Sequence, residues 1–410
     1  MSRAPGSRND PTPEAPPAGA VITMILAGLS MLGPFTIDTV FPAFERIGEQ
    51  FGADTTAMQQ VTSLYMLAFA VMSVFHGPLS DAMGRKPVMI VGLIGYVLAS
   101  IGCALSPNLA VLLVMRTLQG VFAGAATIVS RVVVRDMFAG PQAHKMMSRI
   151  MMIFSLAPAI APVAGGWLLK AGEWPIIFWA TAVYGVLAVV AVTVLLPETH
   201  PPAARSPLRV GAVLRSILEV GRHPAMIRLA FVTAFAMGGQ FLYIAAAPII
   251  VVDLLGLGEQ DFWMLFVPII TGLLIGAWLS GRLAGKVRRT RLVDVALACA
   301  VGAAALNVVL ALIWPHLPLA TVGPALLSCC IAVAFPVIQL EILDSFPDHR
   351  GAAASLGTFA SLTFNALLAG AIAPLVTASL FTVALAAASF VLLGFLLWVA
   401  HRRAAAVRVT

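Results

Sequence analysis

Residues Gly77 to Pro87 read G-P-L-S-D-A-M-G-R-K-P and lie between two apolar runs, near 57–79 and 88–106. Two long hydrophobic segments must therefore reverse direction within a few residues. Gly77 and Gly84 permit close approach and unusual backbone angles, and Pro87 suits the first turn of the helix that follows. Asp81 can sit against a helix N-terminus, while Arg85 and Lys86 can hold phosphates or acidic side chains such as Asp136. Taken alone, the string is also what a basic turn fixing topology would look like. It has an echo, however: G-R-L-A-G-K-V-R-R-T-R begins at Gly281, about half the chain length further on. Duplication of a half-length unit is the simplest account.

Composition sets the surroundings of that loop. Hydrophobic residues make up 60% of the 410 and charged residues 10%, where a soluble domain carries roughly 45–50% and about 25%. A soluble core of this size could not hide so much apolar side chain behind so few charges. The chain reads as an all-α membrane protein. A helix crossing about 30 Å of hydrocarbon needs roughly 20 apolar residues. Runs of that kind fall near 20–44, 57–79, 88–106, 109–134, 146–170 and 174–197, then near 225–252, 261–284, 291–314, 318–341, 352–377 and 379–401. The runs are continuous rather than alternating, which favours helices over a membrane barrel. Twelve transmembrane helices are expected, in two six-helix bundles at 20–197 and 225–401.

Residues 1–19 carry five prolines and no apolar core, so they read as a disordered cytoplasmic tail. The first run is too long for a signal-peptide h-region. Residues 198–224, with prolines at 201, 202, 207 and 224, form the longest polar connection, a cytoplasmic central loop, and 402–410 a second short tail. With both termini cytoplasmic, every Lys and Arg falls on the inner side except Arg46, Lys170 and Arg116, the pattern of the positive-inside rule. The net charge of +7 is thus a topology signal, and no nucleic-acid partner is expected. Cys103, Cys299, Cys329 and Cys330 all lie in apolar runs without C-x-x-C spacing, and read as packing residues rather than disulfides or metal ligands.

The Gly77–Pro87 string resembles the signature loop of the major facilitator superfamily, of form G-x-L-a-D-r-x-G-r-k-x. Further stretches resemble its twelve-span drug:proton antiporter branch, and within that the Bcr/CflA-type multidrug and chloramphenicol exporters. They are T-I-D-T-V-F-P-A-F (Thr36 to Phe44), R-T-L-Q-G (Arg116 to Gly120) running on to S-R-V-V-V-R-D (Ser130 to Asp136), A-P-A-I-A-P-V-A-G-G (Ala157 to Gly166) and L-P-E-T-H (Leu196 to His200). The resemblance covers all twelve runs, with its specific motifs concentrated in the first half. The second-half loop is degenerate, with Gly285 where Asp81 stands in the first. The resemblance implies the major facilitator fold, with spans 1 and 4 as neighbours, and a hinge in span 5 that seals one side during alternating access. Where some multidrug relatives carry a second acidic residue on span 1, this chain has Ser30, so proton coupling would rest largely on Asp38.

Asp38 lies about eighteen residues into the first run. A carboxylate at that depth is costly and marks a functional site by default. Burial favours the neutral carboxyl and a nearby cation the carboxylate, so a change of surroundings can move its proton. The other reading puts Asp38 in the headgroup region. Arg116 lies about seven residues into the fourth run, which brings the two to similar depths. They are expected to pair across a shared cavity, the alternative being a snorkelling arginine. Gln119 shares the face of Arg116. In span 5, Pro158 and Pro162 each remove a backbone donor and bend the helix, and Gly165 and Gly166 open one face to tight packing. Tyr65, Gln119, Gln240, Tyr243, Gln339 and Asn365 are candidate cavity groups, each equally readable as a helix–helix hydrogen bond.

The leading function is secondary active export, in which a small amphipathic compound leaves as protons enter across a bacterial inner membrane. Twenty-one Arg against four Lys fits a GC-rich bacterial genome. The alternative is a facilitator or proton symporter of an endogenous metabolite on the same fold. An intramembrane enzyme would need clustered His, Asp and Glu, yet the seven histidines are scattered near span ends and H-E-x-x-H is missing. Neither is there a G-x-x-x-x-G-K-[ST] string for a nucleotide. The partners expected are the small-molecule substrate, protons and the lipid bilayer. No cofactor or metal is expected, and the bundle closes its own core as a monomer.

Overall fold

The computed structural model describes residues 18–138, 140–205 and 208–407. Most of the expected N-terminal tail lies outside the described residues, as do the last residues of the C-terminal one. Among the described residues every regular element is helical. The first half comprises α1 (Ala18–Asp38), α2 (Phe44–Phe51), α3 (Thr55–Met83), α4 (Arg85–Ala104), α5 (Leu109–Met137), α6 (Gly140–Ala171) and α7 (Pro175–Leu195). The second comprises α8 (Val210–Arg222), α9 (Pro224–Ala245), α10 (Trp263–Leu283), α11 (Arg289–Ile313), α12 (Leu319–Asp344), α13 (Arg350–Leu367), α14 (Ala373–Val376) and α15 (Leu380–Val407).

Local chemistry sets several of these ends. The Asp54 carboxylate accepts from the Ala57 N–H at 2.8 Å to start α3, and the Asn108 carbonyl oxygen accepts from the Val111 N–H at 3.0 Å to start α5, as N-cap side chains do. Pro224 opens α9 in the position where a missing N–H costs nothing. Two segments are π-helical, Ile249–Leu254 beyond α9 and Leu368–Ile372 directly after α13.

Eleven helical stretches among the described residues are long and apolar enough to cross a membrane. The run expected at 146–170 falls in α6, whose apolar described part, Leu156–Ala171, is shorter than that. The run expected at 20–44 is divided: α1 stops at Asp38, a 3-10 turn follows at Phe41–Ala43, and the amphipathic α2 continues to Phe51. The central connection is not a plain loop, since α8 occupies Val210–Arg222. The second tail is helical as far as Val407.

Packing repeats between the halves. α5 lies against α3 and α4, as α12 lies against α10 and α11, and α6 lies against α1 as α13 does against α9. One apolar core, with Leu26, Met66, Val88, Leu93 and Val129, fills the first half near the Gly77–Pro87 loop. The other runs through the second half and crosses into the first, joining Phe41, Phe44, Ile47 and Met58 to Phe262, Phe266 and Ile269. Phe41 stacks on Phe266 with centroids 6.4 Å apart. The halves are therefore fused at the end opposite the Gly77–Pro87 loop, called here the clasp end.

Candidate functional site

Arg116, near the clasp end of α5, is fully buried. Its Nε donates to the Val61 carbonyl at 3.0 Å on α3, and its Nη1 donates to Gln119 Oε1 at 2.6 Å and to the Thr36 carbonyl at 3.4 Å on α1. The Tyr65 ring lies 4.5 Å beneath the guanidinium and the Phe178 ring 5.9 Å away. Carbonyl dipoles and aromatic faces thus surround a charge that would otherwise be very costly to bury. Thr36 lies in the last turn of α1, whose final carbonyls form the negative end of the helix dipole, and a cation is favoured there. Nη2 has no hydrogen-bond partner.

Asp38 ends α1 and is 3% exposed. Among the described residues its carboxyl makes no hydrogen bond and no ion pair. The pair expected between Asp38 and Arg116 is accordingly not formed, although their helices are neighbours. Arg116 instead takes the backbone carbonyl two residues before Asp38. Neither the headgroup reading of Asp38 nor the snorkelling reading of Arg116 fits such burial.

The candidate cavity groups separate. Gln119 bridges Arg116 to Ser100, donating through Nε2 at 2.7 Å, and the Tyr65 hydroxyl donates to the Gly33 carbonyl at 3.2 Å. Both belong to the Arg116 cluster. Tyr243 accepts from the Asn307 amide on α11, a helix–helix bond inside the second half. Gln240 is buried on α9, Gln339 is half-buried on α12 opposite Gly357, and the Asn365 Oδ1 on α13 is buried without a partner. Ser30 bonds Ser130 across α1 and α5 at 2.8 Å.

The Gly77–Pro87 stretch expected as a loop is the end of α3 and the start of α4 joined at Gly84 alone, because the helical pattern continues through Met83, and it forms a single bonded unit. Gly84 sits at φ +99° and ψ 153°, a region essentially restricted to glycine. Arg85 Nε donates to Asp136 Oδ2 at 2.9 Å, and its Nη1 donates to Ser80 Oγ at 2.7 Å and to the Asp81 carboxylate. The Lys86 ammonium donates to the Thr193 carbonyl at 2.7 Å, in the last turn of α7. Glu198 completes the unit: its two oxygens accept from the backbone N–H groups of Arg85 at 3.1 Å and Lys86 at 3.2 Å. A carboxylate at the positive end of α4 meets the helix dipole favourably. Gly77 has open space around it.

At the clasp end, Gly165 on α6 lies so close to α1 that a Cβ there would meet the Thr39 carbonyl at 2.2 Å, and one at Gly166 would meet the Glu259 carbonyl at 2.6 Å. Pro162 and Pro158 lie one and two turns earlier within α6. Arg46 donates through Nε and Nη2 to the two carboxylate oxygens of Glu259, at 2.7 and 2.8 Å. Gln60 Nε2 donates to the Gly370 carbonyl at 2.7 Å, and Ser63 Oγ to the Ala366 carbonyl at 2.8 Å.

Reading the residues alone misses Glu198, Arg46, Glu259, Gln60 and Ser63 as participants. Glu198 had a signal, an acid two residues past an apolar run and within the L-P-E-T-H string. Arg46 had one too, as one of two basic residues on the depleted side. Gln60 and Ser63 had none, because their partners are backbone carbonyls. Among the described residues no three His, Cys, Asp or Glu side chains are grouped to hold a metal ion.

Residues 23–374 match the sequence profile of the Major Facilitator Superfamily, and the chain belongs to that family of transporters. An uncharacterized MFS-type transporter of Bacillus subtilis (strain 168), YdgK, is 31% identical over 339 residues, 82% of this chain and 83% of that one. The bicyclomycin resistance protein homolog of Haemophilus influenzae is 30% identical over 278 residues, 68% of this chain and 70% of that one. A bacterial homolog of the human lysosomal transporter Spinster, crystallised in an inward-facing and unoccupied conformation, shares the fold with a TM-score of 0.72 at 15% identity, over 95% of this chain and 98% of that one.

Proposed function

We propose that the chain is a proton-coupled exporter of small amphipathic compounds such as chloramphenicol, working by alternating access. Its twelve spans would cross a bacterial inner membrane, as a monomer, with the Gly77–Pro87 loop and both termini cytoplasmic. The clasp end then faces outward, and its closure corresponds to a state open to the cytoplasm. The likeness to a bicyclomycin resistance protein supports a drug as cargo.

The observation that carries this reading is a buried carboxyl without an ion pair and a buried arginine with one free amine, on helices that pack together. Ionised Asp38 and the Arg116 Nη2 are complementary, and a protonated Asp38 has no need of that amine. In the outward-open state Asp38 takes a proton and releases Arg116. The halves then rock about the centre, and Asp38 gives up the proton inside as substrate binds. Each proton entering contributes about 2.3 kcal/mol per 100 mV, enough for a roughly fifty-fold concentration gradient.

The test is chloramphenicol uptake into inverted vesicles under an imposed proton gradient, wild type against Asp38→Asn. Gradient-driven accumulation should be lost in the variant while expression and insertion persist. Accumulation unchanged in Asp38→Asn would remove the coupling role. Absence of proton-driven uptake in the wild type would favour the metabolite carrier.

A further inference from the structure

At the end of the second half opposite the clasp, two carboxylates have arginine partners. Arg402 on α15 bonds Asp294 on α11, and Arg289 on α11 donates to Asp344 on α12 at 2.8 Å. A third, Glu341 on α12, has no arginine. Among the described residues its one ion-pairing neighbour is His401 of α15, whose Nε2 lies 4.0 Å from Glu341 Oε1. That separation is too long for a hydrogen bond, and short enough for strong attraction once the ring is charged.

The setting of His401 is that of a proton acceptor. The ring is 5% exposed, and its Nδ1 is buried without a hydrogen-bond partner. With Nε2–H turned to Glu341, Nδ1 keeps the lone pair that takes a second proton. The ring also stacks on Trp398, with centroids 5.8 Å apart and planes at 24°, and the Trp398 indole is held by Asp294. An imidazolium is attracted by both an indole face and a carboxylate. The other charged groups at this end are Arg402 and Arg403 on α15, Arg288, Arg289 and Arg291 at the start of α11, Asp344 on α12, and Arg228 on α9, which His223 caps. α14 brings none.

We propose that His401 is a proton-binding site on the cytoplasmic side, separate from Asp38, which ties the end of α12 to α15 when charged and thereby slows export as the cytoplasm acidifies. The sidedness and the braking of export rest on the reading above; the latch does not. Its chemistry is a single acid–base step, in which a proton from water adds to Nδ1 and returns to water as pH rises. Histidine changes charge between about pH 8 and 5. Pro336 interrupts the backbone bonding of α12 five residues before Glu341, so the helix end can pivot there. Beyond that point it is held by buried Ile342 and by the exposed Arg289–Asp344 pair. Charged His401 adds a tie, and a helix end so tied is less free to move inward when this side closes. An exporter that admits protons acidifies the compartment it empties, and a latch set by those protons limits it.

Two readouts need no cargo. An imidazolium quenches an indole stacked on it, so Trp398 emission reports the charge of His401 in the purified full-length protein in lipid nanodiscs. Between about pH 8 and 5 the wild type should lose emission in a one-proton step that is missing in monodisperse His401→Gln. Glu341→Gln should move that step to lower pH by about one unit. Hydrogen–deuterium exchange of residues 339–346 should be about fivefold slower in the wild type than in His401→Gln at about pH 6, and equal at about pH 8. Where His401→Gln fails to fold, Glu341→Gln carries the exchange comparison, since it removes the same tie. The third readout is chloramphenicol uptake into inverted vesicles, whose bath meets the cytoplasmic face. At a constant proton gradient, acidifying the bath to about pH 6 should slow the wild type about threefold and leave His401→Gln unslowed. No His401-dependent quench, or a quench without the exchange difference, would overturn the latch. Both of these with equal slowing of uptake in wild type and His401→Gln would overturn the brake. Absence of proton-driven uptake in the wild type, with quench and exchange difference intact, would sink the export reading and leave the latch standing; proton-driven uptake with neither signal would do the reverse.

Discussion

In the first half Arg85 opens α4 at 6% side-chain exposure and is bonded to Asp136, Asp81 and Ser80, whereas in the second half Arg289 opens α11 in the matching place and reaches Asp344 from 60% exposure. Deeper in the bundles the contrast continues. The first half buries Asp38 and Arg116 on α1 and α5. The matching helices of the second, α9 and α12, carry Arg228 in the second turn of one and Glu341 and Asp344 near the end of the other, and the buried bond there is the neutral one between Tyr243 and Asn307. The ends of the last long helix in each half differ in sign as well. Beyond α7, Glu198 meets the start of α4, while in α15 Arg402 meets Asp294 on α11, with Trp398 donating to the same carboxylate at 2.8 Å. Duplicated packing survives because it depends on small and apolar residues, which tolerate exchange. Charge does not survive duplication unless each copy uses it, since a buried charge is costly.

The largest effect expected from this asymmetry is on transport. Arg116→Ala should lower gradient-driven export about 100-fold, the upper range of energetic coupling between sites, with Arg116→Lys retaining more. Tyr243→Phe removes a neutral interhelical bond worth about 0.6 kcal/mol and should cost less than about threefold. Equal losses would mean that the second half shares the coupling. Vesicle uptake rates decide it.

Next comes stability. Arg85→Ala leaves Asp136 and Asp81 facing each other without their cation and should cost about 3 kcal/mol in denaturant unfolding of the purified protein. Arg289→Ala, in an exposed pair, should cost less than about 1 kcal/mol. The glycines give a smaller version of the same contrast. Gly84→Ala should cost about 2 kcal/mol, because its backbone conformation excludes a side chain and Arg205 and Glu198 stand 2.7 Å from the new Cβ. Gly285, at φ +75° in open space, should lose about 1 kcal/mol on change to Ala. The smallest effect is expected where the halves meet. Arg46→Glu or Glu259→Arg alone should each cost about 1 kcal/mol, and the double exchange should restore wild-type stability. Additive losses would deny that this pair holds the clasp.

Much of this was legible in the residues. The loop, with its Arg85–Asp136 pair, follows from the spacing of Gly77, Gly84 and the basic doublet, and most span limits follow from apolar run length. The break after Asp38 was not legible, because Val40 to Phe44 is apolar enough to carry the run to 44, while Pro42 and the charged residues from Glu45 on turn it into a 3-10 turn and a separate amphipathic helix. α8 hid in a connection whose prolines suggested a loop, although Val213, Leu214, Ile217, Leu218 and Val220 recur there at helical spacing. The Asp38–Arg116 pair was reasonable from depth alone. What depth could not include was the end of α1 itself, whose carbonyls compete for the guanidinium. Gln60 and Ser63 bond to backbone, and a sequence shows side chains only.

The two π-helical segments, Ile249–Leu254 and Leu368–Ile372, both lie at the clasp end, and the second adjoins the Ala366 carbonyl and holds the Gly370 carbonyl that Ser63 and Gln60 occupy. A π turn accommodates about one residue more than an α turn. Each segment is therefore spare chain wound into a helix. Rewinding one to α register turns everything beyond it by about 100° and advances it about 1.5 Å. Such a step withdraws the Gly370 carbonyl from Gln60 while α13, with the Ala366 carbonyl, stays where it is, so the clasp can be loosened like a ratchet let slip by a single tooth.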